Sequence, residues 1–212
     1  MKLIVPVLNR FDLLKRMLES IDVEATVYII NNSKRAWPLQ INNPKVTVWW
    51  VHLPSNLGVA SSWNLGIKML PFEDKWIFTQ ADCYFEPGVL SELNEAANDA
   101  VTLCKQFPYW QTFAVGEKVI EQVGLFDEGI HPAYFEDNDF QRRCENLNVR
   151  FDFLSKNVFH DNSSTISSDK SLALKNEVSF ANNSAYFQNK VDTNDFSEGH
   201  WTLAVRRLNS WD

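Results

Sequence analysis

The segment "YFEDNDF", residues 134–140, places Glu136, Asp137 and Asp139 within four positions, with aromatic residues on both sides. Carboxylates this close repel one another when ionised. Two readings compete for them. Acids in the first turn of a helix are favoured by the positive end of the helix dipole, which accounts for one or two of the three. The preceding pair Tyr134 and Phe135 points to chemistry instead, because side chains that exclude water raise a carboxyl pKa toward values suited to a general base. On chemistry alone the second reading is slightly ahead.

Two further residues join the acids. Asp82 follows the apolar run "KWIFTQ", residues 75–80, and His160 follows a strand-like run in "NVFHDNSS". Taken singly, an acid after a strand is more often a turn or helix cap, and one histidine is usually a surface or core residue. Together with the acidic cluster they offer the oxygen and imidazole donors that suit Mn²⁺ or Mg²⁺. A third stretch, "SNLGVASSWNLG" at residues 55–66, holds Asn56, Gly58, Asn64 and Gly66. It lacks the GK[ST] of a P-loop and the GxGxxG of a dinucleotide fingerprint. Gly58 at a helix start lets the backbone approach a ligand, and an ordinary capped helix explains the spacing equally well.

The elements that must carry these residues alternate. "KLIVPVL" reads as a buried first strand, ending at a polar segment with Asn9 and Arg10. Leu13, Leu14, Met17, Leu18 and Ile21 share one helical face, with Asp12 as a candidate cap. Strands follow at 25–30, 45–51 and 75–80, with a helix from Val59 to Leu70 and another over "PGVLSELNEAAND". Such alternation predicts βαβ units and a mostly parallel central sheet flanked by helices, an α/β fold with a Rossmann-like nucleotide-binding half. Ligands of these sheets sit beyond the carboxyl ends of the strands. The polar segments "NRFD", "NNSK", "SNLG" and "ADCYFE" fall there. The second half is less regular: one or two strands within 100–115, a helix from about Glu136, a strand at 149–154, then loop and helix over 162–195. The terminal "HWTLAVRRLNSW" reads as an amphipathic helix or strand that docks on the domain or a partner.

Composition narrows the class. The 212 residues are 45% hydrophobic and carry a net charge of −7, with no basic run of the kind that grips phosphate backbones. Three cysteines without a CxxC spacing predict free thiols in a reducing, cytoplasmic setting. The apolar run at the N-terminus is too short for a signal peptide or a membrane span.

The order of motifs is more telling than any one of them. "IVPVLNRFDLLKRMLESI", "YIINNS", "NLGVASSWNLGI", "FTQADCYFEPGVL", "VGLFDEGIHPAYFEDNDFQRRC" and "VFHDNSS" occur in the order of the family 2 glycosyltransferases. The chain resembles that family, with its GT-A fold, and in particular the rhamnosyltransferase-like branch. The match spans roughly residues 2–165, and the "GLFDE…YFEDND" block is its most specific part.

The resemblance implies a GT-A-like domain over 1–165, its nucleotide-sugar half at 1–100 and its acceptor half at 101–165, with a C-terminal extension over 166–212 packed on it. It implies transfer of a sugar, with inversion and metal assistance, from a nucleoside diphosphate sugar (UDP- or dTDP-linked) to an acceptor hydroxyl on a glycan or another compound. Asp137 would be the base, with Glu136 beside it. Asp82 and His160 would hold the metal. Pro6, Asn9, Arg10, Asn31, Asn56, Gly58 and Asn64 would line the donor site, with Asp139 and Arg143 bracing the acidic motif. Asn31 stands where many members carry the aspartate that reads uracil, and Gln80 and Ala81 reduce the metal motif to one acid. Two alternatives stay open: a hydroxylated base in phage DNA as acceptor, with Trp110, Tyr134 and Trp201 forming an aromatic pocket, and a non-catalytic sugar- or nucleotide-binding module.

Overall fold

The computed structural model describes residues 1–35, 40–161 and 170–196. The tail "HWTLAVRRLNSW", with Trp201, lies outside them. The elements are β1 (Lys2–Val7), α1 (Phe11–Glu19), β2 (Ala25–Asn31), β3 (Val46–His52), α2 (Gly58–Met69), β4 (Lys75–Thr79), β5 (Cys83–Phe85), α3 (Val89–Asn94), β6 (Ala100–Leu103), β7 (Thr112–Gly116), α4 (Glu117–Val123), α5 (Glu136–Asn146), β8 (Arg150–Phe153), β9 (Val158–His160) and α6 (Lys170–Thr193).

Seven strands form one sheet in the order β3-β2-β1-β4-β7-β6-β8. The pairs β1–β2, β1–β4, β2–β3 and β6–β8 are parallel. β7 runs antiparallel between β4 and β6. The first four strands follow the predicted βαβ pattern for a physical reason. Leu3, Ile4 and Val5 are all buried, as a continuous apolar run must be when helices cover both faces of a sheet. On one face α1 packs Leu14, Met17 and Leu18 with Leu90 and Leu93 of α3. On the other, Trp63 of α2, Phe78, Phe113, Phe126 and Phe140 of α5 form an aromatic core. α2 lies close to β1 because Gly66 faces Ile4, whose side chain would be 2.5 Å from any Cβ there.

Asp12 does not cap α1. It sits inside the first turn, after Arg10 at the cap position, and both its oxygens are held by Arg10 at 2.9 and 2.6 Å. The helix after β5 is also shorter than expected and stops at Asn94.

Connectivity brings one sheet edge into focus. The carboxyl ends of β1, β2, β3 and β4 share it, and β7 starts there, with Thr112 opposite Thr79. A separate two-stranded ribbon, β5 with β9, pairs Cys83 with His160 just beyond the end of β4. At the opposite edge, the amino ends of β1 and β4 border a polar cleft lined by Lys2, Glu73, Asp74, Lys75 and Asn94. It contains none of the candidate residues.

Candidate functional site

The β5–β9 ribbon unites two residues 78 positions apart in sequence. His160 Nε2 lies 3.1 Å from Asp82 Oδ1, and both side chains are largely buried. Among the described residues neither ring nitrogen of His160 is hydrogen-bonded. Nε2 has Asp82 as its ion-pair partner, whereas the buried Nδ1 has none among the described residues, and an unpaired buried polar atom is costly unless something else completes it. A divalent ion with oxygen and imidazole ligands would do so, and the donor set fits Mn²⁺. Cys83 is the third residue of this cluster. Its thiol hydrogen-bonds to the Gln111 carbonyl at 3.4 Å, and burial pushes its pKa far up. A thiol is a soft donor, poorly matched to a hard cation. Arg16 stacks over Tyr84, 4.5 Å from the ring centroid, and pairs with Asp161 at 2.5 Å, tying the end of β9 to α1.

The acidic segment opens α5 as predicted, with Glu136, Asp137 and Asp139 in the first turn. Its entry is unusual. Tyr134 and Phe135 both have positive φ, 73° and 78°, a left-handed conformation that costs a non-glycine residue roughly 1–2 kcal/mol. Helix α6 holds this turn. Phe180 packs on Tyr134 and Phe135 with centroids 5.4 and 5.1 Å away, and Phe187 stacks on Phe135 at 5.8 Å. The Asn183 amide donates to the Ala133 carbonyl at 2.9 Å.

The three acids then diverge. Glu136 is buried, and among the described residues its Oε2 has no hydrogen-bond partner. Burial, with a smaller push from the Asp137 charge, raises its pKa to about 8. Asp137 is half-buried and its pKa also moves up, because of burial. The charge on Asp137 adds to the rise at its neighbour Glu136. Asp139 turns inward. Its oxygens accept from Arg143 Nε at 2.8 Å and Lys190 Nζ at 2.5 Å. Arg143 also donates to the Val123 and Leu125 carbonyls.

Lys190 bridges onward to Asp127 at 2.8 Å, which also accepts from the Tyr186 hydroxyl at 3.0 Å. Burial pushes the Asp127 carboxyl up, but Lys190, the Gly129 amide and Tyr186 outweigh it, and the net shift is down. All four charged groups of this network are buried. Removing one partner from such a set costs roughly 3–5 kcal/mol, because a charge is stranded out of water.

At the donor-side edge, Asn31 and Asn32 end β2. Asn31 is fully buried. Its amide reaches the Arg35 carbonyl at 2.9 Å and His52 Nδ1 at 3.1 Å, and its oxygen accepts from the Ser33 amide. Asn56 accepts from the Gly58 amide, and Gly58, at φ +83°, presses on the Pro132 carbonyl, which accepts from the Val59 amide at 2.8 Å. The start of α2 is thereby tied to the loop that leads into the acids. Asn64 bonds to the Phe126 backbone on both sides and to Glu128, so it braces the fold beneath the edge. Pro6 pairs with Ile30 inside β1, and Asn9 and Arg10 occupy the turn before α1. Trp110 is buried against Phe113 and Phe140 and donates to Gln141. It offers no open ring for a stacked base.

Sequence reading did not single out Asp127, Asn183, Tyr186 or Lys190. The "GLFDE" block held a signal for Asp127. Nothing local distinguishes Lys190 from the other lysines of a polar helix.

No family model matches the chain, and no curated protein does. Solved structures do. One is TarS of S. aureus: TM-score 0.55 and 19% identity, over 73% of this chain and 35% of that one. TarS 1–349 in complex with UDP-GlcNAc gives 0.52 and 17%, over 73% and 55%. GalNAc-T7 with UDP, GalNAc and Mn²⁺ gives 0.58 and 11%, over 75% and 43%. This chain thus spans about a third to just over half the length of these neighbours. The shared architecture, a mostly parallel mixed sheet flanked by helices, is the GT-A fold.

Proposed function

We propose that the chain is a nucleotide-sugar-dependent glycosyltransferase that transfers with inversion, using Asp137 as base. The observation that carries this reading is the Glu136–Asp137 pair, with both pKa values raised by burial, on a GT-A sheet whose carboxyl edge also presents Asp82 and His160. The fold's structural neighbours include complexes with UDP-GlcNAc and with UDP, GalNAc and Mn²⁺, and the donor proposed here is likewise a UDP- or dTDP-sugar. Asp82 and His160 would hold a divalent ion, Mn²⁺ or Mg²⁺, which would neutralise the departing diphosphate.

The remaining chemistry is assigned to the chain's own groups. The nucleotide rests on the ends of β1 to β4, near Asn9, Arg10, Asn31, Asn56 and Gly58. The acceptor hydroxyl approaches the start of α5. Its proton passes to the Asp137 carboxylate as its oxygen bonds to the anomeric carbon. The bond from that carbon to the diphosphate oxygen breaks on the opposite face, so one displacement inverts the centre. Glu136, held neutral by burial near neutral pH, keeps a second negative charge away from the base.

Asp137→Asn tests the assignment. The shape is kept and the base removed, so turnover of the donor falls roughly 10²- to 10⁴-fold. UDP affinity stays within about threefold, or ~0.6 kcal/mol, because the nucleotide sits on the other half of the edge. Near-normal turnover in the variant would place the base elsewhere. Lost UDP binding would put the acidic segment on the donor side.

A further inference from the structure

We infer that Lys190, on the C-terminal helix α6, is a positioning residue for Asp137, so that α6 is part of the active-site machinery. This rests on the reading of Asp137 as base. The first turn of α5 has no side-chain cap, and its cap residue, Phe135, is left-handed. That turn is therefore fixed from outside the helix. Two of the anchors come from one face of α6. Asn183, buried, holds the Ala133 carbonyl just before the turn at 2.9 Å. Two turns later Lys190, also buried, binds Asp139 at 2.5 Å, two residues past the base. The same ammonium binds Asp127 at 2.8 Å, in the loop between α4 and α5.

One cation thus locks both ends of the segment 127–139 to a single rigid rod. Arg143 Nε binds one Asp139 oxygen at 2.8 Å and Lys190 binds the other. Between these anchors Phe180 and Phe187 pack on the strained aromatic pair. Without the rod the left-handed pair would relax, and Asp137 would rotate away from the acceptor. A base works only within hydrogen-bonding reach of the proton it takes, so a small rotation is enough to lose turnover.

Three variants of the full chain test this: Lys190→Met, Lys190→Arg, and Lys190→Met combined with Asp127→Asn. The double variant removes one positive and one negative charge and leaves Asp139 paired with Arg143, so it keeps the fold where Lys190→Met alone strands a carboxylate. Three quantities are read: UDP affinity with Mn²⁺, hydrolysis of UDP-GlcNAc, and amide hydrogen exchange. In the double variant we expect UDP affinity within threefold of wild type and kcat at least tenfold lower with KM little changed. Amides of 134–139 exchange at least tenfold faster, while those of β1 to β4 are unaltered. Lys190→Arg recovers part of kcat. The inference is overturned if the double variant regains wild-type kcat together with wild-type stability, or if exchange at 134–139 does not change. A wild-type protein that binds UDP but turns over no UDP- or dTDP-sugar would count against the proposed function alone. The exchange data would then decide the role of Lys190 by themselves.

Discussion

The buried Glu136 carboxyl makes stability depend on pH in a direction opposite to that of most acids. Its folded pKa of about 8 stands against an ordinary 4.5. The sign follows from proton binding: between these values the folded chain holds a proton that the unfolded chain has released. Stability therefore falls as pH rises through this window and levels off above about 8. A gap of this size corresponds to several kcal/mol. Part of it comes from the Asp137 charge and is present only while Asp137 is ionised. Glu136→Gln keeps the size of the side chain and removes the titration. Near pH 5 the variant matches wild type to within about 1 kcal/mol, since both side chains are neutral. By pH 8.5 it is more stable by several kcal/mol. Urea unfolding followed by tryptophan fluorescence from pH 5 to 9 measures the difference directly, with equal slopes confirming that only stability has changed. A difference that stays flat with pH would refute the burial reading of Glu136, and with it the protonated neighbour assigned to the base.

Two other outcomes follow from the site. UDP at 1 mM, if bound with ~10 μM affinity, adds about 2.7 kcal/mol of stability; Mn²⁺ raises this stabilisation in wild type, while Asp82→Asn or His160→Ala abolishes the metal-dependent part. Equal UDP stabilisation in EDTA and in Mn²⁺ would remove the metal from the site. Gly58→Ala meets a φ of +83° and a Pro132 carbonyl 2.6 Å from the new Cβ, so it destabilises by roughly 2 kcal/mol or more. It also weakens UDP binding, and a thermal midpoint unchanged from wild type would show that the α2 start is not held as described.

The sequence by itself determined the elements and their edge. Apolar runs such as "LIV" in β1 demand burial on both faces, and they alternate with helical periodicity, which leaves a parallel sheet as the outcome. Polar segments then fall at the carboxyl ends of the strands, the edge at which ligands of such sheets bind. Burial raises the pKa values of Glu136 and Asp137, while the aromatic pair before them packs on Phe180 and Phe187 of α6.

Only the tertiary structure decided what each acid does. Local spacing cannot say that Asp139 turns inward to Arg143 and Lys190 while Glu136, three residues earlier, keeps a buried oxygen without a partner among the described residues. The pairing of Asp82 with His160 depends on the β5–β9 register, a long-range contact that a strand of three residues carries no pattern to predict. The anchoring of the acidic turn depends on α6, whose lysine lies 51 residues from Asp139 in the chain. Periodicity reports which face of an element is buried; which partner waits on the other side is settled when the chain closes on itself.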